Sequence, residues 1–195
     1  SSKGCNYGPP YEWSVYNAFS SLGGILGVPK VHYKGRQGED YVMVMDLLGP
    51  SLEDMFQKCG RKFTVPTVAR LAMQMTDLLE ELHKHSLIHR DIKPHNFSVG
   101  LRNGEGLKLF DFGLVKKYRN TKFQHIKYRE HKNLSGTVRY TSINIHDGIE
   151  PSRRDDMEGM MYVLIYFLRG SLPWQGMRDV DDRDKRHQMI GDLKR

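Results

Sequence analysis

One segment near the C-terminal end of the chain constrains the fold more than any other. Residues 155–169 read DDMEGMMYVLIYFLR, which is apolar on nearly every side when it is drawn as a helix. Such a helix is stable in water only when other elements surround it, so we expect it in the centre of the core. Its apolar part is also much shorter than the ~20 residues that a membrane span needs. The sequence therefore predicts a globular domain built around a buried helix.

A second long helix is predicted over residues 65–85. Apolar residues recur there at helical spacing, Thr64 stands in the N-cap position and Pro66 lies in the first turn. A short helix is also expected at residues 52–58. Together with residues 155–169, these are the three helices predicted after residue 50. The body of the domain is therefore predicted to be mostly helical.

The N-terminal part has a different pattern. An apolar stripe from Trp13 to Leu22 predicts a helix that starts at the preceding prolines. Two β-rich runs follow at residues 28–34 and 41–45, joined by a glycine-containing turn that is typical of a hairpin. Short apolar runs later in the chain predict small strands at residues 87–88, 97–99 and 107–110. Together these elements indicate an α+β fold with two lobes.

The string His89–Asn96 (HRDIKPHN) carries the first chemistry-bearing residues. It places a carboxylate, a lysine and an amide on one loop directly after the long helix. Phosphoryl transfer requires such a set: Asp91 to accept or orient a hydroxyl proton, Lys93 to neutralise the moving phosphoryl group, and Asn96 to bind Mg²⁺. We therefore predict that these three residues are catalytic.

The triplet Asp111–Gly113 (DFG) follows fifteen residues after Asn96 and comes after a short apolar run. The Asp111 carboxylate is a suitable ligand for the Mg²⁺ that bridges the phosphates of ATP. Either motif alone also occurs in ordinary turns and surface loops. Both motifs together, between two helices, predict a protein kinase that uses ATP and Mg²⁺.

Five further segments make the resemblance specific. The chain resembles the casein kinase 1 family in residues 46–54 (DLLGPSLED), 134–140 (LSGTVRY), 142–144 (SIN), 152–156 (SRRDD) and 170–176 (GSLPWQG). The Ser-Ile-Asn triplet replaces the Ala-Pro-Glu of most kinases. The resemblance implies a serine/threonine kinase with a two-lobed, protein-kinase-like fold. It implies an N-terminal lobe remnant at residues 1–45, a hinge at 46–51 and a C-terminal lobe at 52–195.

The resemblance also implies a nucleotide site. Glu12 matches a helix glutamate that pairs with a strand lysine, and Met45 matches the gatekeeper. The backbone of Asp46 and Leu48 is then expected to hydrogen-bond adenine, and Asp54 to lie near the ribose. Taken alone, Glu12 also suits a solvated helix charge and Met45 an ordinary core position.

Four departures from the family pattern bear on activity. No glycine-rich loop and no strand lysine precede Glu12, and the chain stops soon after residue 176, so we expect both lobes to be incomplete. Ser98 stands where the family has a leucine that forms the floor of the adenine pocket, which predicts weaker nucleotide binding. Two methionines replace a smaller pair on the helix over residues 155–169.

Basic residues are concentrated in residues 112–140, which we call the basic segment. It contains eight lysine and arginine residues and one acidic residue, Glu130. By the resemblance, Arg139 and Lys132 bind acidic or pre-phosphorylated substrate residues and Thr137 braces the 89–96 loop, while Asp156 anchors that loop from below. The alternative is a non-catalytic module that docks such partners through the basic segment.

The remaining composition gives weaker indications. Cys5 and Cys59 show no metal or redox spacing, and the histidines near residues 83–95 lack a zinc-ligand pattern. The expected partners are acidic or phosphorylated proteins, with no specific nucleic acid and no membrane. We expect a monomer in the cytoplasm or the nucleus, since no targeting motif is visible.

Overall fold

A computed structural model describes residues 10–101, 104–177 and 180–195 of the 195-residue chain. Cys5 lies outside these ranges. The described helices are α1 (Tyr11–Ser21), α2 (Leu52–Lys58), α3 (Val65–Lys84), α4 (Ile143–His146), α5 (Arg153–Arg169) and α6 (Arg183–Lys194). The strands are β1 (Val31–Gln37), β2 (Asp40–Met45), β3 (Leu87–Ile88), β4 (Phe97–Val99), β5 (Leu107–Leu109) and β6 (Lys116–Lys117).

The N-terminal helix and the hairpin pack on each other. The α1 helix begins after Pro10 and buries Val15, Tyr16 and Phe19, whereas Leu22 lies past its end and is exposed. In the antiparallel hairpin of β1 and β2, Gln37 pairs with Asp40, so β1 runs two residues beyond Gly35. The hairpin prediction is confirmed, with a tighter turn than the sequence suggested.

The α3 and α5 helices form the centre of the larger, helical part. The Thr64 side chain accepts a hydrogen bond from the Thr67 N–H and caps α3 as predicted. Ser152 and Asp155 form a capping box at the start of α5. Since Met75 and Leu79 of α3 are completely buried, the predicted apolar face of α3 does face the core.

One face of α5 differs from the prediction. Gly159, Val163 and Phe167 are buried, but Met161 is 51% exposed in the described structure and Leu168 is 41% exposed. The expectation of a helix surrounded on nearly every side is therefore wrong for that face. A Cβ atom at Gly159 would lie 3.0 Å from the Tyr140 carbonyl oxygen, so the glycine lets α5 approach residues near the site closely.

Two small antiparallel sheets position the loops that carry the motifs. The β3 strand pairs with β6, and β4 pairs with β5. The 89–96 loop runs from β3 to β4 and ends in a 3₁₀ turn at Pro94–Asn96. Because β5 ends at Leu109, Asp111 emerges next to the end of that loop, and the Phe110 N–H donates to the Asn96 carbonyl at 3.1 Å.

The helices and sheets confirm the predicted α+β class. Helices dominate residues 52–195, and the strands form separate antiparallel pairs within the described ranges. None of the helices described combines the length and the apolar character that crossing a membrane requires.

Core packing between α3 and α5 gives a stability test. Replacing the buried Leu79 with alanine should lower the free energy of unfolding by about 2–5 kcal/mol, because the truncation leaves a cavity. Met73→Ala is the matched control, since Met73 lies on α3 with 69% of its surface exposed. Its effect should stay within about 0.5 kcal/mol in urea denaturation. Equal losses for both variants would contradict the assigned helix face.

Candidate active site

Asp91 lies at the centre of the 89–96 loop, and both of its side-chain oxygens accept hydrogen bonds. Lys93 Nζ donates to Oδ2 at 2.5 Å. The backbone N–H and the hydroxyl of Thr137 donate to Oδ1 at 2.8 and 2.7 Å. The Asn96 amide nitrogen donates to the Asp91 carbonyl at 2.9 Å. Lys93 and Asn96 of the same loop therefore meet at Asp91 with Thr137, which lies 46 residues further along the chain.

These contacts decide the charge of Asp91. Burial alone raises the pKa of the carboxyl, but hydrogen bonds from Lys93 and Thr137 outweigh it and hold the pKa of Asp91 below its usual value. Asp91 is therefore ionised at neutral pH. An ionised carboxylate can accept a hydrogen bond from a substrate hydroxyl and orient it.

A second carboxylate holds the loop from the α5 side. Asp156 is 2% exposed, and its oxygens accept the backbone N–H groups of His89 and Arg90, each at 2.8 Å. His83 Nε2 lies 2.9 Å from Asp156 Oδ2. Hydrogen bonds to a buried carboxylate are charge-assisted, so Asp156 ties the start of the loop firmly to the central helix.

His89 is a packed residue of this loop. Its ring is completely buried, its Nε2 lies 3.1 Å from the Phe110 carbonyl, and its Nδ1 accepts the Asp91 N–H at 3.3 Å. Burial lowers the pKa of His89, so the ring is neutral with its proton on Nε2. Both nitrogens are satisfied, which leaves the ring a structural role.

The DFG triplet separates a buried ring from an exposed carboxylate. Phe112 is completely buried and its ring meets those of Tyr16 and Phe19 edge-on, at centroid distances of 5.4 and 5.0 Å. The Phe112 N–H donates to Glu12 Oε1 at 3.0 Å. Asp111 takes a left-handed backbone conformation with φ 65°, and its carboxylate is exposed.

Glu12 therefore contacts the DFG backbone in this structure. Burial raises the pKa of Glu12, while the hydrogen bond from Phe112 opposes this effect in part. Lys34 of the hairpin donates to the Trp13 carbonyl and to Asn17 Oδ1. It therefore does not replace the strand lysine that pairs with the helix glutamate in the family pattern.

The residues present fit a magnesium ion. The amide nitrogen of Asn96 donates to Asp91, which leaves Asn96 Oδ1 as an acceptor. The Asp111 carboxylate lies near the same loop, with Oδ2 at 4.0 Å from Lys93 Nζ. Oxygen ligands of this type suit Mg²⁺. Among the described residues, no cluster of three or more His, Cys, Asp or Glu side chains is arranged to hold a metal ion.

The 46–51 segment offers backbone groups at the end of β2. The Asp46 side chain accepts from the Lys30 N–H at 2.8 Å and from His32 Nε2 at 2.7 Å. In the described part of the chain, the Asp46 carbonyl and the Leu48 N–H have no hydrogen-bond partner. That these two groups bind adenine stays a prediction. Met45 is partly buried beside them, against the core.

Comparisons with known proteins identify this arrangement. The model of the protein kinase domain family matches residues 25–194. Casein kinase I homolog 2 of Saccharomyces cerevisiae is 52% identical over 185 residues, which cover 92% of this chain. The chain belongs to the casein kinase 1 family of protein kinases. Casein kinase I homolog RAG8 of Kluyveromyces lactis and casein kinase I homolog 1 of Schizosaccharomyces pombe are 52% and 51% identical over 92% of the chain.

The chain spans 34% of the length of the Saccharomyces and Kluyveromyces relatives and 41% of that of the Schizosaccharomyces relative. The family match confirms the resemblance that the motifs carried and the partial kinase fold.

Ser98 connects β4 to the 46–51 segment. Its side chain is buried, and its hydroxyl lies within hydrogen-bond distance of the Gly49 carbonyl and 3.1 Å from the Pro50 carbonyl. The Val99 N–H also donates to the Pro50 carbonyl. The hydroxyl therefore links β4 to the end of the 46–51 segment by hydrogen bonds. A leucine at this position would add apolar surface instead.

Asp54 lies at the start of α2 and caps it. Its carboxylate accepts from the Ser51 N–H at 2.9 Å and from the Ser51 hydroxyl at 2.6 Å. The Asp54 N–H donates in return to the Ser51 hydroxyl oxygen at 3.1 Å, which completes a capping box. Hydrogen bonds from Ser51 hold the pKa of Asp54 below its usual value. Its predicted place near a ribose remains a prediction.

Part of the basic segment is neutralised by a buried acid. The Glu150 side chain is 5% exposed and accepts Lys116 Nζ at 2.6 Å and Lys132 Nζ at 3.3 Å. Burial raises the pKa of Glu150, but the two lysines outweigh it and lower the pKa. Sequence reasoning missed Glu150 because it lies outside the segment and carries no motif. Lys132, predicted to bind substrate, is thus already paired.

The other predicted substrate residues are Thr137 and Arg139. Thr137 contacts Asp91 directly, as described above. Arg139 follows two residues later, with its guanidinium over the Tyr140 ring at 5.8 Å and its carbonyl accepting from Trp174 Nε1 at 2.7 Å. Lys117, Lys122, Lys127 and Arg129 of the basic segment are exposed.

The Ser98 contact yields a test of the nucleotide site. Ser98→Leu should tighten binding of a non-hydrolysable ATP analogue by up to about tenfold, because a leucine extends apolar surface toward the adenine position. Ser98→Ala is the control, since it removes the hydroxyl without adding that surface. Isothermal titration calorimetry gives both dissociation constants. Equal constants for the two variants would show that position 98 does not contact the base.

Proposed function

We propose that the protein is a serine/threonine kinase that transfers the γ-phosphoryl group of ATP to hydroxyl groups of acidic or pre-phosphorylated protein segments. The observation that carries this proposal is the meeting of Lys93, Asn96 and Thr137 at Asp91, with Asp111 alongside. Family membership supports the reaction class, and the relatives are named as casein kinase I homologs.

The reaction requires an ionised acceptor beside the attacking hydroxyl. Since the pKa of Asp91 is below its usual value, the carboxylate is a weak base that orients the hydroxyl first. It takes the proton late, as the new bond to phosphorus forms and the bond between the γ-phosphorus and the oxygen of the departing ADP breaks. Thr137 holds Oδ1 of the carboxylate, so Oδ2, which accepts from Lys93, is the oxygen that would accept the substrate hydroxyl.

Lys93 balances the charge that moves during transfer. Its ammonium lies 2.5 Å from Asp91 Oδ2 and 4.0 Å from Asp111 Oδ2, between the two carboxylates. A cation at this position attracts the phosphoryl oxygens as they approach Asp91. Asn96 and Asp111 would hold Mg²⁺, which neutralises phosphate charge when it is bound.

Asp91→Asn tests the reaction. The variant should reduce phosphoryl transfer from ATP to an acidic serine peptide by about 10²–10⁴-fold, because an amide cannot take the proton. Binding of the ATP analogue should change by less than about twofold, since Asp91 contacts the hydroxyl and not the base. The full-length protein is used for both measurements.

The same experiment distinguishes a kinase from the alternative, a non-catalytic docking module. Equal transfer by wild type and Asp91→Asn would refute the kinase proposal. Tight binding of a phosphopeptide without any nucleotide binding would instead favour a docking module that uses the exposed residues of the basic segment.

Preference for acidic substrates can be tested at Arg139. Arg139→Gln should raise the KM for an acidic peptide by about tenfold, because a charge-assisted hydrogen bond is lost. The KM for ATP should not change. Arg70→Gln is the control, since Arg70 is an exposed arginine on α3. A peptide in which asparagine replaces each acidic residue should show no difference between the two variants; an equal effect on both peptides would contradict the role of Arg139.

A further inference from the structure

The α6 helix contacts residues near Asp91 through the side chain of one lysine. Lys194 is the last residue of α6, and its Nζ donates to the Val138 carbonyl at 2.7 Å and to the Thr141 carbonyl at 2.6 Å. Nε2 of His146, on α4, lies 3.1 Å from the same nitrogen. Gly191 lets the two helices approach, because a Cβ atom there would lie 3.2 Å from the His146 ring.

The surroundings of Lys194 contain little negative charge. In the described ranges no carboxylate lies within 4.0 Å of its Nζ, and Glu158 accepts from Ile143 and Tyr162 instead. Burial lowers the pKa of Lys194 to about 7, and Glu158 opposes this effect. The pKa of His146 is lowered to about 4 by burial and by Lys194, so its ring is neutral. The groups that contact the amine within hydrogen-bond distance are therefore the Val138 and Thr141 carbonyls and the neutral His146 ring.

Two aromatic rings complete this environment. Nζ of Lys194 lies 5.1 Å from the centroid of the Tyr162 ring and 5.3 Å from that of Trp174. The two rings meet each other edge-on at 5.1 Å. Cation–π contacts of this kind strengthen when they are shielded from water, so they favour the charged amine.

The carbonyls that Lys194 holds belong to residues 137–141, which we call the 137–141 turn. The N–H groups of Tyr140 and Thr141 donate to the Thr137 carbonyl at 2.8 and 3.1 Å, which closes the turn. Trp174 Nε1 donates to the intervening Arg139 carbonyl. Donors from residues 174 and 194 thus hold three carbonyls of the turn whose first residue contacts Asp91.

We propose that Lys194 is a positioning residue, which holds the 137–141 turn in the conformation in which Thr137 contacts Asp91. The inference rests on the proposed kinase function for its effect on substrates. A lysine at a helix end often serves only to cap that helix or to offset its dipole. Here both carbonyl acceptors lie outside α6, at residues 138 and 141, so the contacts fix the turn to the helix.

The test compares the same lysine-to-methionine substitution at two positions of α6. Lys194→Met keeps much of the apolar stem and removes the donor, whereas Lys185 is exposed and serves as the control in Lys185→Met. Hydrogen exchange of the Tyr140 and Thr141 amides should quicken by about tenfold or more in Lys194→Met alone. This measurement is independent of catalysis.

The same variants are then assayed in the full-length protein. Lys194→Met should raise the KM for the acidic peptide by about tenfold, while the dissociation constant of the ATP analogue stays within about twofold of wild type. Unchanged exchange in the turn would overturn the proposal, and so would faster exchange throughout the chain with loss of nucleotide binding. Faster exchange confined to the turn, in a protein without kinase activity, would support the positioning role and contradict the proposed function.

Discussion

The site depends on one buried carboxylate on the central helix. Asp156 accepts the backbone N–H groups of His89 and Arg90, and Arg90 has a left-handed backbone with φ 68°. That conformation costs about 1–3 kcal/mol in a residue with a side chain. Each hydrogen bond to a charged partner contributes about 1.5–3 kcal/mol, so the two bonds to Asp156 offset the strain. The loop can therefore hold Asp91 in place even though its own backbone conformation is unfavourable.

Asp91 is consequently supported from two directions. From the α5 side, Asp156 fixes the two residues that precede it in the chain. From the opposite side, Thr137 binds its Oδ1, and the 137–141 turn is in turn bonded to Trp174 and Lys194. The 46–51 segment bonds instead to β4, at Ser98 and Val99. Changes on the peptide side and on the nucleotide side should therefore have separable effects.

Local patterns in the sequence predicted most of the fold. The bounds of α2 and α3 follow from helical spacing and N-cap residues, and the motifs fall on the loops beside β3 and β5 as expected. The exposed face of α5 was not predicted, because apolar character alone does not tell which neighbours cover a helix. Glu150 and Lys194 could not be found either, since their partners lie far away in sequence and neither residue belongs to a motif.

Not all of the positive charge that the sequence places in the basic segment is available to a binding partner. In the basic segment, Glu150 pairs with Lys116 and Lys132, and Arg119 donates to Ser86 and to the Lys84 carbonyl. The four exposed cations act through water, where salt screens them beyond about 8 Å at physiological ionic strength. Exposed charges of this kind speed and orient encounter more than they tighten binding. Under the proposed function, selectivity for an acidic peptide is therefore expected to come from residues near Asp91, such as Arg139 in the 137–141 turn that contacts Asp91 through Thr137.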